Sequence, residues 1–255
     1  MTAVRDLFGI SIAAVTMDDV LPLVDAAIAE RRPFQIGVVN AAKVVNMQRD
    51  PRLRDDVLAS DIVLADGMSL VWASRVLGRP LPERVAGIDL MFRLLERAAE
   101  KGHRVFCLGA TQQVLDAAVA NFRARYPAVI VAGTQHGYFS VADEPQVAKA
   151  IADSRADIVF IAMTSPRKEQ FLAQWSRGLD VPVWHGVGGS FDVAAGKVER
   201  APMMWQRLGL EWLYRVKQEP RRLWKRYLVT NTLFVRMLLR EWLRRPAPLA
   251  PRPGR

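Results

Sequence analysis

Short apolar runs and amphipathic helical stretches take turns along most of the chain, and this alternation restricts the fold more than any single motif. Phe34 to Val39, Ile62 to Ala65, Arg104 to Leu108, Val129 to Ala132, Asp157 to Ala162 and Val181 to Trp184 each read as a buried strand. They are short, apolar and bounded by turn residues. Helical periodicity fills the intervals: Met17 to Arg31, Lys43 to Met47, Arg52 to Leu58, Met68 to Leu77, Gly87 to Lys101, Thr111 to Tyr126, Glu144 to Ser154, and Pro166 to about Trp175. Such a chain predicts an α/β fold with a largely parallel sheet and helices on both faces. Residues 4–16 predict a short strand pair, and Gly133 to Phe139 a turn-rich loop.

An apolar fraction of 51% over 255 residues supports a sizeable core, as one large domain or one domain with an appendage. Cys107 is the only cysteine, which excludes an intrachain disulfide and fits a reducing compartment. Charge is divided along the chain. Residues 196–255 hold 15 basic and 4 acidic residues, a net of +11, whereas residues 1–195 hold 21 and 22, a net of −1. A neutral body, 1–195, followed by a basic appendage, 196–245, points to one localised anionic partner, membrane lipid or nucleic acid. The appendage carries Trp205, Trp212, Trp224 and Trp242 among its cations, and Leu228, Val235, Leu238 and Trp242 can share a helical face. The apolar run from Tyr227 to Leu239 is broken by Arg236 and is too short to cross a bilayer. An amphipathic helix lying on an anionic membrane surface fits this pattern; a helix packed on the body is the alternative. No nucleic-acid-binding motif is recognisable. The Pro-rich end, 246–255, predicts disorder.

Chemistry-bearing residues gather at the carboxyl ends of the expected strands, where open α/β sheets bind ligands. The loops are Asn40-Ala41-Ala42, Asp66-Gly67, Met163 to Glu169, and Gly186 to Asp192. Spacing alone leaves Asp66 open between a cap of the helix that follows and a catalytic carboxylate. Arg84 is the one cation beside Val85-Ala86-Gly87-Ile88, and its plain alternative is a surface charge. The Gly-rich loop can cradle a diphosphate through backbone N–H groups. Its spacing matches neither the Rossmann fingerprint nor a P-loop, so on its own it reads as a tight turn. Ser165 and Pro166 fit a helix start with Ser165 as cap. Arg167 and Lys168 then sit where the helix dipole disfavours cations, which suggests an anionic ligand unless they are simply solvated. There is no Asp-x-Asp pair, and His103, His136 and His185 lack metal-ligand spacing, so neither a metal nor another cofactor is expected.

The stretch NAAKVVNMQRDPRLRDDVLASDIVLADGMSLVWASRVLGRPLPERVAGIDL resembles the core of the WecG/TagA/CpsF glycosyltransferases. GYF, SPRKE, GVGGSFDVAAGKVERAP and GLEWLYRVKQEPRRLWKRY follow in matching order, so the resemblance runs roughly from Phe8 to Tyr227. It implies a Rossmann-like body with a basic C-terminal helical appendage. It also implies an inverting transferase that moves a hexose or N-acetylhexosamine from a UDP-sugar to a polyprenyl-diphosphate-linked saccharide. That work belongs to surface polysaccharide biosynthesis, on the inner, cytoplasmic face of the cell membrane, with a homo-oligomer left open. By the same resemblance Asp66 is the catalytic base, Arg84 an active-site arginine, and Asn40 and Gly67 the pocket beside them. Gly188, Gly189 and Asp192 then belong to the donor pocket, and Arg215, Arg221 and Arg222 complete the site from the appendage. Many members carry Pro-Lys-Gln-Glu where this chain has Pro166-Arg167-Lys168-Glu169. Lys168 therefore stands where a glutamine would touch substrate, and the donor is open between N-acetylmannosamine and a hexose. Two rivals remain: a non-catalytic, membrane-docked nucleotide-sugar-binding assembly factor, and a soluble nucleotide-binding transferase whose appendage merely packs on the body.

Overall fold

The computed structural model describes residues 2–244, apart from the side chain of Arg222; the 246–255 tail lies outside the described residues. Its strands are β1 (Val4–Leu7), β2 (Ile10–Ala13), β3 (Phe34–Val39), β4 (Ile62–Ala65), β5 (Arg104–Gly109), β6 (Ile130–Gln135), β7 (Ile158–Ala162) and β8 (Val183–Gly186). The helices of the body are α1 (Met17–Ala29), α2 (Ala41–Met47), α3 (Pro51–Leu58), α4 (Met68–Val76), α5 (Gly87–Lys101), α6 (Gln112–Arg125), α7 (Glu144–Asp153), α8 (Arg167–Trp175) and α9 (Ser190–Ala194). Beyond them lie α10 (Met203–Arg207), α11 (Glu211–Gln218) and α12 (Pro220–Leu243).

β1 and β2 form the expected antiparallel pair, turning through Phe8 and Gly9, both at positive φ. The other strands build one six-stranded sheet in the order β4-β3-β8-β7-β5-β6, every pairing parallel. Strands buried on both faces read as continuous apolar runs, which is why they were legible in sequence. α1, α5 and α6 cover one side of the sheet, and α7 and α8 pack on the other with Phe106 and Trp184. The hairpin, α2, α3 and α4 share a further cluster around Val39, Val63 and Ala65. The candidate loops follow β3, β4, β7 and β8, and these strands are contiguous in the sheet. The topology therefore brings the four loops together at one edge of the sheet.

Two boundaries differ from expectation. β6 continues through Gly133 to Gln135 instead of turning into a loop at Gly133. A Cβ at Gly133 would lie 2.6 Å from the Phe106 ring, so glycine here admits a close cross-strand approach, not a turn. The β5–β6 register also shifts beside it. β8 starts two residues late, at Val183, and runs through His185 to Gly186; Trp184 and His185 are both fully buried.

The last helix settles on the body. On α12, Leu223, Thr230 and Phe234 are buried, and Leu233, Met237 and Leu238 lie partly buried against the hairpin cluster. The Phe234 and Phe8 rings are 5.1 Å apart, and Glu241 accepts the backbone N–H of Phe8 at 2.9 Å. Leu238 thus belongs to the packed side, and Leu239 takes its expected place on the outward face with Leu228, Val235 and Trp242. Trp205 and Trp212 are spent internally, pairing with Tyr214 and Tyr227.

Candidate active site

Asp66 stands one residue beyond β4, where its N–H donates to the Val39 carbonyl at 2.8 Å. α4 begins at an N-cap of Gly67 with no side-chain cap, so Asp66 does not cap the helix that follows it. Its Oδ1 instead accepts the N–H of Gly87, the first residue of α5, at 2.9 Å. Val85 N–H donates to the Ala65 carbonyl at 2.9 Å, and His185 Nε2 bonds the Gly87 carbonyl at 2.9 Å. Residues 85–87 are thereby strapped across the ends of β4 and β8. Among the described residues no donor bonds the second oxygen of Asp66. Asn40 caps α2 by accepting the Lys43 N–H, and a Cβ at Gly67 would touch its side chain at 3.4 Å.

Arg84 is not a surface charge. Its side chain is 12% exposed, ion-paired to Glu211 and to Asp89, and bonded to Gln206. Ser165 does not cap α8: the N-cap is Pro166, with no side-chain cap bond. Nor are Arg167 and Lys168 solvated. Arg167 lies 4.5 Å over the Phe139 ring and donates to its carbonyl. Lys168 is 6% exposed, 3.4 Å from Glu169, with its stem pressed on Gly186, where a Cβ would lie 2.7 Å from Lys168 Cδ. Burial, then the nearby Lys43, push the Lys168 pKa down, while Glu169 and Asp66 pull against them. Burial would raise Glu169, but Lys168, Lys43 and Ser165 hold its carboxyl well below the usual range.

The Gly-rich loop is partly committed: Val187 and Gly188 both donate to the Ile161 carbonyl. Gly188 needs its positive φ of 56°, and the space around it is open. A Cβ at Gly189 would lie 3.9 Å from Arg215 Nη1 and 4.0 Å from Asp192 Oδ2, so the appendage reaches the loop through Arg215. Arg221 is exposed in the first turn of α12, and Arg222 is its neighbour there.

The sequence model of the glycosyl transferase WecG/TagA/CpsF family matches residues 5–248. The chain belongs to the WecG/TagA/CpsF glycosyltransferase family. Two relatives carry the name N-acetylglucosaminyldiphosphoundecaprenol N-acetyl-beta-D-mannosaminyltransferase. That of Bacillus spizizenii is 38% identical over 180 residues, 71% of this chain and 69% of the relative. That of Bacillus subtilis is 38% identical over 193 residues, 76% of this chain and 74% of the relative.

Around the candidate site, Lys43, Asp89 and Arg200 were not singled out from the sequence. Lys43, one turn into α2, pairs with buried Glu169 at 2.7 Å. Asp89 and Arg200 join Arg84 in one ion-paired group. The period of α5 does set Asp89 apart from its buried face, a signal that was available. His185 carries the Gly87 carbonyl, and because a carbonyl only accepts, Nε2 holds the proton.

His185 also makes the fold acid-sensitive. Burial pushes its pKa from 6.5 down to about 4, against the pull of the Gly87 carbonyl. The unfolded chain then binds a proton that the folded chain refuses, so stability is lost as pH falls from about 6.5 towards 4. The loss reaches roughly 3 kcal/mol at 1.36 kcal/mol per pKa unit. Urea midpoints across this range should fall with pH, and His185→Gln should flatten the slope. An unchanged slope in that variant would assign the acid sensitivity to other groups.

Proposed function

We propose that the chain is an inverting glycosyltransferase that moves a sugar from a UDP-sugar to a polyprenyl-diphosphate-linked saccharide. The observation that carries this reading is the Asp66 carboxylate, pinned through one oxygen by Gly87 and open at the other. The acceptor hydroxyl donates to the free oxygen, which takes its proton as the hydroxyl oxygen attacks the anomeric carbon. The bond from that carbon to the UDP oxygen breaks, and the electron pair leaves with UDP. Arg84, and Arg215 above the Gly-rich loop, offset the charge that develops there. Support for the acceptor class comes from the names of the two relatives. Among the described residues no group of three or more His, Cys, Asp or Glu is placed to hold a metal ion. The test is a panel of UDP-sugars offered with a polyprenyl-diphosphate-linked acceptor in EDTA, read by mass spectrometry. Transfer of one sugar supports the reading; UDP-sugar binding without transfer to any acceptor favours the assembly factor.

The same proposal places the enzyme on an anionic membrane surface. Among the described residues no helix is long and apolar enough to cross a membrane. α12 nonetheless leaves Trp224 54% and Trp242 50% exposed, with Leu228, Val235 and Leu239 between them. Lys225, Arg236 and Arg240 are exposed along the flank of that stripe. Aromatic and aliphatic side chains seat in the interface while the cations meet lipid phosphate. Replacing Leu228 and Leu239 with Glu should abolish flotation with anionic vesicles and leave the melting temperature nearly unchanged, because neither side chain is packed. Raised salt should weaken wild-type flotation without ending it. Flotation of the double variant at the wild-type level would remove this face as the docking surface.

A further inference from the structure

We propose that Arg84 and Arg200 form a two-guanidinium site for a substrate diphosphate, and that Glu211 of the appendage occupies it in the ligand-free chain. The proposal rests on the function above only for the identity of the anion. Asp89, in the first turn of α5, grips Arg200 through two bonds, Nη1 to Oδ1 at 2.6 Å and Nη2 to Oδ2 at 2.7 Å. The same Oδ2 lies 3.4 Å from Arg84 Nη2. One carboxylate therefore braces both cations side by side. They stand close to the reacting edge, because Asp66 holds Gly87, two residues before Asp89.

Two guanidinium groups against one body carboxylate leave a positive charge over. Glu211, the first residue of α11, fills it by pairing with Arg84, with its other oxygen 4.0 Å from Arg200 Nε. That Nε is buried and has no hydrogen-bond partner among the described residues. The carboxylate is thus a poor fit: it satisfies Arg84 and falls short of Arg200. A diphosphate carries more oxygens and more charge, and planar guanidinium groups take such oxygens in pairs. The two carboxylates also differ in standing. Asp89 sits on a body helix with two bonds to Arg200, whereas Glu211 belongs to the appendage and comes no nearer to Arg200 than 4.0 Å. Asp89 acts as the permanent brace and Glu211 as the exchangeable occupant, so substrate binding and appendage position are coupled through one site.

The experiment measures binding of inorganic diphosphate, UDP and farnesyl diphosphate to the full chain by calorimetry. Glu211→Gln removes the competing charge and should tighten binding about three- to tenfold. Arg200→Gln should weaken it about tenfold or more, and Arg200→Lys should recover part of the loss. Tightening for UDP alone assigns the site to the donor, tightening for farnesyl diphosphate alone to the acceptor, and tightening for all three to the diphosphate itself; each supports the proposal. Unchanged or weaker binding of every probe to Glu211→Gln would reduce Glu211 to a structural brace and overturn it. The readout is independent of transfer. A chain inactive with every sugar whose Glu211→Gln variant still binds diphosphate more tightly keeps this site and loses the function above; an active chain indifferent to Glu211 does the reverse.

Discussion

Asp66→Asn should lower transfer by about 10² to 10⁴-fold, the usual cost of removing a general base. The amide keeps an oxygen for the Gly87 N–H, so the start of α5 and the strap over β8 stay in place. What is lost is the ability to take a proton from the acceptor hydroxyl. UDP affinity should stay within a few-fold and the melting temperature close to wild type, with the loss confined to kcat. Asp66→Ala separates the two roles of the side chain: it strands the Gly87 N–H as well and should lower the melting temperature too. If Asp66→Asn turns over within a few-fold of wild type, Asp66 is an anchor for α5 and the base lies elsewhere.

Phe234→Ala should cost about 3–5 kcal/mol of stability, the usual range for a buried Phe truncated to Ala. Phe234 is 5% exposed, seated against Phe8 in the cluster that joins α12 to the hairpin and α2. The urea midpoint should fall with little change in slope. The same packing decides what truncation would do. Cutting before Ala201 removes Phe234 and Leu223, and it uncovers Phe8 and the outer side of α2. The shortened chain should therefore aggregate. A cost below about 1 kcal/mol for Phe234→Ala, with a soluble and cooperative truncated chain, would show instead that α12 rests loosely on the body.

The sequence by itself determined the alternation of strands and helices, because each element is encoded by a local period that needs no partner to be seen. It placed Asp66, Asn40 and the Gly-rich loop at strand ends for the same reason, and the parallel order of β4, β3, β8 and β7 then brought those ends together. Periodicity says which residues share a face, not what that face will meet. α12 has two apolar faces, one through Leu223 and Phe234 and one through Trp224, Leu228 and Leu239; the hairpin with Phe8, near the other end of the chain, and α2 decide which is buried. Charges were less legible still. Arg84 and Lys168 both read as cations that could be solvated, yet Arg84 is met by Glu211 from 127 residues away and Lys168 is buried beside Gly186. Such pairings come from chain crossings that local spacing does not record. Desolvation acts on the assembled neighbourhood, so the tertiary structure alone decided which of these cations is held, which is buried and which donor, Arg200 Nε, is left without a partner.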